Sequence, residues 1–384
     1  MLRAFLASLT VVLLAGALAA PASAQRFNPN AQRPSREFMQ ERQGGPGGPG
    51  GSPTFDYSAA AGIPLIDTHM HFEFGNGQRA DLPGDAADAI AVMDKMNITT
   101  SFLMPPPEGH SEQVPYDLEA FAYVMTRYPG RFRLSGGAGS LGRTILTTPA
   151  GAVTDAVRQK FIARAHEIAA AGAVGFGEIG IEHFALPAMG PRHPFEEVPA
   201  DHPLLLLLAD QAAELGLPID VHFDVIPEDM DLPAPLQSPP NPAHLTQNLP
   251  AFERFLAHNP KAKIVWAHVG GEPARNRSLE LCRRLLQDHP NLYMSFRVQR
   301  GLPHPSYALA PDGTLKPMWR QLILQFPDRF VFGSDSFYTD DPRTRRGGDI
   351  EGVENFRRLL AQLPPDVAAK LANGNAAQIY RLGK

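Results

Sequence analysis

The chain has 384 residues, 43% hydrophobic and 20% charged, with a formal net charge of −5 at pH 7. That length allows one large domain or two ordinary ones, and the acidic balance leaves no basic footprint for a nucleic-acid duplex or an anionic membrane. Cys282 is the only cysteine, so an internal disulfide framework is excluded and stability must come from the core and from any bound ion.

In chain order, residues 1–24 read as a secretory signal peptide. Arg3 supplies the positive start, Phe5 to Leu18 the apolar core, and Ala22-Ser23-Ala24 a small-x-small cleavage site. Cleavage before Gln25 would leave no membrane anchor in the mature chain and would place it in the periplasm or outside the cell. Residues 25–58 contain Gly44-Gly45-Pro46-Gly47-Gly48-Pro49-Gly50-Gly51 and little apolar content, the composition of a flexible tether.

From residue 59 to 384, β-type apolar runs alternate with helical patterns. Strands are predicted at 64–72, 99–104, 132–137, 173–179, 218–223, 262–268, 292–296 and 329–334. Helices are predicted at 85–96, 117–128, 156–171, 203–215, 249–258, 277–287 and 316–325. Eight strands alternating with helices argue for parallel βαβ units and predict an α/β fold, a closed (β/α)8 TIM barrel forming one catalytic domain. An open doubly wound sheet is the alternative, but no Gly-x-Gly-x-x-Gly follows the first strand.

His-x-His follows it instead, in Ile66-Asp67-Thr68-His69-Met70-His71. Side chains alternate along a strand, so His69 and His71 point the same way, about 6–7 Å apart along the backbone. Two neutral imidazoles so placed can chelate one divalent metal. In a barrel of this type functional groups gather at the carboxyl ends of the strands. Those positions hold Glu178 on the fourth, His222 on the fifth, His268 on the sixth and Asp335 on the eighth. Imidazoles and carboxylates are the usual zinc ligands, and catalytic sites keep one position open.

Across about residues 63–382 this arrangement resembles the amidohydrolase superfamily of metal-dependent barrels. The resemblance implies that His69, His71 and Asp335 hold one metal, joined by His222 in single-metal members. In two-metal members Glu178 would bridge while His222 and His268 hold the second ion. Asp335 would take the proton of the attacking water, and in single-metal members His268 would act as a catalytic group. Many two-metal members bridge with a carboxylated lysine where this chain has Glu178. Gly177-Glu178-Ile179-Gly180 is more similar to the metal-dependent deoxyribonuclease branch. Trp266-Ala267-His268-Val269-Gly270-Gly271 and Phe332-Gly333-Ser334-Asp335 are more similar to the amidohydrolase-related branch that includes aminocarboxymuconate-semialdehyde decarboxylase. Asn373 to Tyr380 resembles the family's closing helix, which Asn375 would cap.

Other residues have the right address without a motif. Arg297, after the seventh strand, could clamp a substrate carboxylate or phosphate, or pair with a loop acid. Glu182 and His183 could line the cleft or lie on a surface loop. Glu108, His110 and Arg143 follow the second and third strands. Asp67 and Asp220 are read as facing away from the neighbouring histidines and hence as structural. His193, His202, His244, His258, His289 and His304 are read as loop or helix-end residues. The proline-rich loop 224–247 should overhang the mouth as a lid or specificity element.

The expected activity is metal-dependent hydrolysis of a small-molecule ester, lactone, amide or phosphoester, with one or two divalent ions, zinc first. Two alternatives stand beside it. One is non-oxidative decarboxylation of a small carboxylate, and the other is a non-catalytic exported ligand-binding barrel. A homo-oligomer is compatible with all three.

Overall fold

Nine short strands build the barrel wall in this computed structural model, which describes residues 55–72, 82–106, 117–186, 195–237, 240–269, 276–298, 305–338 and 350–383. The predicted signal peptide, most of the predicted tether, and Glu108, His110, His193 and His304 lie outside the described residues.

The strands are β1 (Leu65–Phe72), β2 (Ile98–Leu103), β3 (Phe132–Gly137), β4 (Gly175–His183), β5 (Ile219–Phe223), β6 (Ile264–Val269), β7 (Leu292–Phe296), β8 (Phe330–Phe332) and β9 (Ser336–Tyr338). They hydrogen-bond in the order β8-β7-β6-β5-β4-β3-β2-β1-β9, every neighbouring pair parallel. β8 and β9 are two halves of the eighth strand position, separated by Gly333, Ser334 and Asp335. The first half pairs with β7 (Met294 beside Phe330), and the second with β1 (Met70 beside Ser336). The eighth strand thereby closes the barrel, and the predicted (β/α)8 architecture is the one found.

The connecting helices are α1 (Leu82–Lys95), α2 (Leu118–Arg127), α3 (Asp155–Ala170), α4 (Pro203–Leu215), α5 (Leu249–His258), α6 (Leu279–Asp288), α7 (Pro317–Gln325) and α8 (Ile350–Leu360). Local chemistry sets their starts. Asp117, Thr154 and Ser278 accept hydrogen bonds from the Leu118, Val157 and Leu281 N–H groups, and prolines open α4, α5 and α7. Gly216 ends α4 in the left-handed conformation that a glycine takes without cost. The strands are buried on both faces, as a parallel barrel requires, so their apolar runs are nearly continuous.

At the amino-terminal end of the strands, Ala376, Ile379 and Tyr380 of the closing helix pack on Phe102, Val265 and Val331. Asn375 does not cap that helix. Its Nδ2 donates to the Pro327 and Phe330 carbonyls, both at 2.8 Å, because the residue already lies inside a continuous helical run and its side chain turns toward β8.

Over the opposite end, the segment after β5 forms an ordered cap with its own apolar cluster. Ile226, Leu232, Leu236 and Leu245 pack with Phe184 and Leu186 from beyond β4. A two-residue antiparallel pair, Met230–Asp231 with His244–Leu245, frames it. Asn241 clamps Ala185 from both sides, accepting from its N–H and donating to its carbonyl at 2.8 Å each.

Candidate metal centre

Six side chains from five strand positions converge at the carboxyl end of the barrel. β1 delivers His69 and His71 on one face, and their Nε2 atoms lie 3.0 Å apart. β4 runs on to His183, four residues past its predicted end, so Glu178 sits in mid-strand with its carboxylate inside the barrel. β5 supplies His222, β6 supplies His268, and the break between β8 and β9 supplies Asp335.

Glu178 divides the group. Its Oε2 lies 3.3 Å from His69 Nε2 and 3.4 Å from His71 Nε2. Its Oε1 lies 2.8 Å from His222 Nδ1 and 2.9 Å from His268 Nε2. Asp335 closes the first set, with Oδ1 3.5 Å from His71 Nε2 and 3.8 Å from His69 Nε2. Among the described residues three triads have donor atoms close enough to share an ion: His69/His71/Glu178, His69/His268/Asp335 and Glu178/His222/His268.

The backbone shows what assembling this cluster demands. His268 and Asp335 hold positive φ angles of 64° and 52°, in a region non-glycine residues seldom occupy and one that concentrates at functional sites. Gly333 makes the close approach possible: a Cβ there would stand 2.1 Å from Ser295 Oγ and 2.9 Å from His69 Cβ.

Two of the remaining ring nitrogens have partners behind the cluster. His71 Nδ1 lies 3.0 Å from the Met104 carbonyl; an N–H donated there leaves Nε2 with its lone pair directed at the cluster. His222 presents Nδ1 to Glu178 while its Nε2 sits 3.4 Å from Asp224 Oδ2.

The electrostatics are those of a cation site. Burial works against the charged His222 ring, but the Asp224 and Glu178 carboxylates outweigh it and push its pKa up to about 10. Burial likewise opposes charge on Glu178 and Asp335, yet the surrounding cations, His69 at the first and Arg297 at the second, hold both carboxyls well below the usual range. Burial dominates at His268, which drops to about 4 and is a neutral imidazole at pH 7. Four imidazoles with two ionised carboxylates are a donor set that suits a divalent cation. The residues present therefore fit the metal that the resemblance implies.

Asp67 faces away from the two histidines, as expected, but Asp220 does not. Residues 220 and 222 share a face by the period of two, but β1 shifts register between Asp67 and Met70, so Asp67 lies on the side of Leu65, Met70 and Phe72. Asp67 accepts from the Ser334 N–H at 2.8 Å and hydroxyl at 2.6 Å, tying β1 to the strand break that presents Asp335. Asp220 Oδ1 lies 3.2 Å from His69 Nδ1. The two-residue spacing signalled only that Asp220 and Asp224 flank His222; the partners Ser334 and His69 come from other strand positions.

Arg297 Nη1 is 3.1 Å from Asp335 Oδ2, inside the cluster. Glu182 and His183 are buried at the end of β4, not on a surface loop. The His183 ring meets the His222 ring edge-on at 4.6 Å. Burial, with Glu197 and Asp224 nearby, pushes Glu182 up to about 9, so it is a neutral acid at pH 7. Phe337 stacks on His71 at 4.5 Å, a contact no motif announced. Arg143 opens a short helix after β3. His202 serves as the N-cap of α4, and His244 and His258 pair with Asp231 and Asp210, away from the site.

A closed parallel barrel with imidazoles and carboxylates gathered at the strand ends defines a barrel enzyme with a candidate metal centre. The Amidohydrolase family profile matches residues 66–382, and the chain belongs to that family. Its fold is similar to several solved structures. One is described as a "probable 2-pyrone-4,6-dicarboxylic acid hydrolase" of Acinetobacter baumannii with citric acid bound (12% identical, covering 83% of this chain and 99% of that one, TM-score 0.48). Another is amidohydrolase 2 of Bifidobacterium longum subsp. infantis (14%, 83% and 99%, TM-score 0.41). A third is an amidohydrolase of Mycobacterium avium subsp. paratuberculosis (14%, 83% and 99%, TM-score 0.42). No curated protein matches the chain. Among the described residues no helix is long and apolar enough to cross a membrane.

Proposed function

We propose that this amidohydrolase-family enzyme hydrolyses a small-molecule carbonyl or phosphoryl substrate with two divalent ions, zinc first. His69, His71 and Asp335 would hold one ion, His222 and His268 the other, and Glu178 would lie between them. The observation that carries this reading is the division of Glu178, one carboxylate oxygen toward each pair of histidines.

The bound ions would supply an activated water near neutral pH and polarise the oxygen of the bond under attack. The chain's own groups do the rest. Asp335 is held ionised among Arg297 and the histidines, so it can accept the water's proton at pH 7 and return it to the leaving group. Arg297, a quarter exposed, keeps the carboxylate in place and can turn part of its guanidinium toward an anionic substrate group. Phe337 gives the site an apolar wall against the His71 ring.

The test is metal counting joined to a panel of esters, lactones, amides and phosphoesters. Two ions per chain are expected, with activity lost on chelation and restored by zinc. Glu178→Ala should lower the stoichiometry and cut turnover by about 100-fold or more, the scale of losing preorganised charge at a reacting centre. One tightly held ion with a harmless Glu178→Ala would favour a decarboxylase instead. Turnover indifferent to metal would sink the hydrolase reading, and no turnover at all would favour the ligand-binding barrel.

We also propose that residues 1–24 direct export and are removed. The arginine, apolar run and Ala22-Ser23-Ala24 support this, and the N-terminal sequence of mature protein from the native host tests it.

A further inference from the structure

Each of two ligand histidines has an acceptor on the nitrogen that faces away from the cluster. His71 has the Met104 carbonyl and His222 has Asp224. His69 has Asp220. The Asp220 Oδ1 to His69 Nδ1 distance is 3.2 Å, and both side chains are 1% exposed.

We propose that Asp220 is a positioning residue for the metal centre, holding the His69 ring through Nδ1 so that Nε2 keeps its lone pair on the ion side. This rests on the metal-dependent reading of the site. Apart from each other, neither the Asp220 oxygens nor His69 Nδ1 has a hydrogen-bond partner among the described residues. A carboxylate sealed inside the barrel without a donor is costly, so a ring N–H at this distance is its natural partner. Once the proton sits on Nδ1, the neutral ring can bind a cation only through Nε2, the nitrogen that faces His71, Glu178 and Asp335.

The barrel wall is shaped to admit this carboxylate. A Cβ at Gly177 would stand 2.8 Å from the Asp220 Cβ, so the residue beside Glu178 has to be glycine for Asp220 to lie against His69.

The experiment measures zinc affinity by competition with a chromophoric chelator for the wild type, Asp220→Asn and His69→Ala. Asp220→Asn keeps the shape and removes the charge. It should bind zinc about 10- to 100-fold more weakly, the usual effect of losing the partner behind a ligand histidine. It should also melt near the wild-type temperature when both are metal-free. Zinc binding equal to wild type, or a loss confined to metal-free stability, would overturn the proposal. If Asp220→Asn does not fold, ¹⁵N-histidine NMR of the zinc-loaded wild type decides. A slowly exchanging Nδ1–H on His69 supports the proposal and an Nε2–H tautomer overturns it. Failure of the underlying reading looks different: the wild type takes up no zinc, or His69→Ala binds it as tightly, and either result overturns both.

Discussion

Asp335 turns its two carboxylate oxygens to different partners: Oδ1 faces the His69 and His71 rings at 3.8 and 3.5 Å, and Oδ2 receives Arg297 Nη1 at 3.1 Å. A single side chain at a positive-φ break between two half-strands therefore joins the histidine cluster to the Arg297 guanidinium. Its ionisation should be the most easily tuned property of the site.

Arg297→Met tests that coupling. Burial raises the Asp335 pKa, and Arg297 is the foremost of the charges that more than reverse it. Without the guanidinium the pKa rises. A base works when deprotonated, so the acidic limb of kcat/KM should move to higher pH. Neutral-pH activity should fall roughly tenfold or more, the worth of a charge-assisted contact. An unmoved acidic limb would show that Arg297 does not set the charge of Asp335.

Metal removal should reverse the pH dependence of stability. In chelated protein His222 has a folded pKa of about 10, above its unfolded value near 6.5. Its stabilising contribution is then complete below pH 6.5 and is lost as pH rises toward 10. A bound ion needs the neutral ring, so the loaded protein should hold or gain stability over the same interval. At zinc concentrations about 100-fold above Kd the loaded form should melt roughly 5–10 °C higher at pH 7. Melting curves with and without chelator from pH 6 to 10 measure both effects, and parallel curves would contradict them.

Gly333→Ala should be severe for a residue that bears no functional group. The added methyl would press on Ser295 and on His69 itself, and neither is a flexible chain end able to swing away. A loss of about 1–3 kcal/mol in stability is expected, with weaker metal binding because His69 is displaced. Denaturant titration and zinc competition on the same preparation would reveal a fault in this packing if both stayed at wild-type values.

Asn241→Ala should loosen the cap without harming the barrel. It removes the two bonds to Ala185 and a third to the Leu236 carbonyl. About 1–3 kcal/mol of local stability should go. Hydrogen exchange should quicken at Ile226 to Leu245 while β1 to β7 keep their protection, and KM should change more than kcat. Uniform acceleration across the chain would mean that the cap is not a separate unit.

How far the sequence reaches depends on the range of the forces concerned. Alternation and apolar runs located all eight strand positions, because strand and helix periods are local properties of the chain, and the ligand candidates were the polar residues standing at the ends of those runs. The same alternation, applied at i and i+2, would have put Asp220 on the face of His222, whereas the register shift after Asp67 is not legible in local pattern. What local pattern did not hold were relations between distant segments. Glu178 and His222 are 44 residues apart, and only the pairing of β4 with β5 brings them to 2.8 Å. Arg297 and Asp335 meet because β7 and β8 are neighbours in the wall, and Asn375 turned out to anchor β8 and not to cap its own helix. The sequence by itself determined the barrel and the polar residues at its mouth, through periodicity and burial. Only the tertiary structure decided which oxygen of Glu178 serves which histidines and what stands behind each ring, since those follow from the closed geometry of nine strand segments packed against one another.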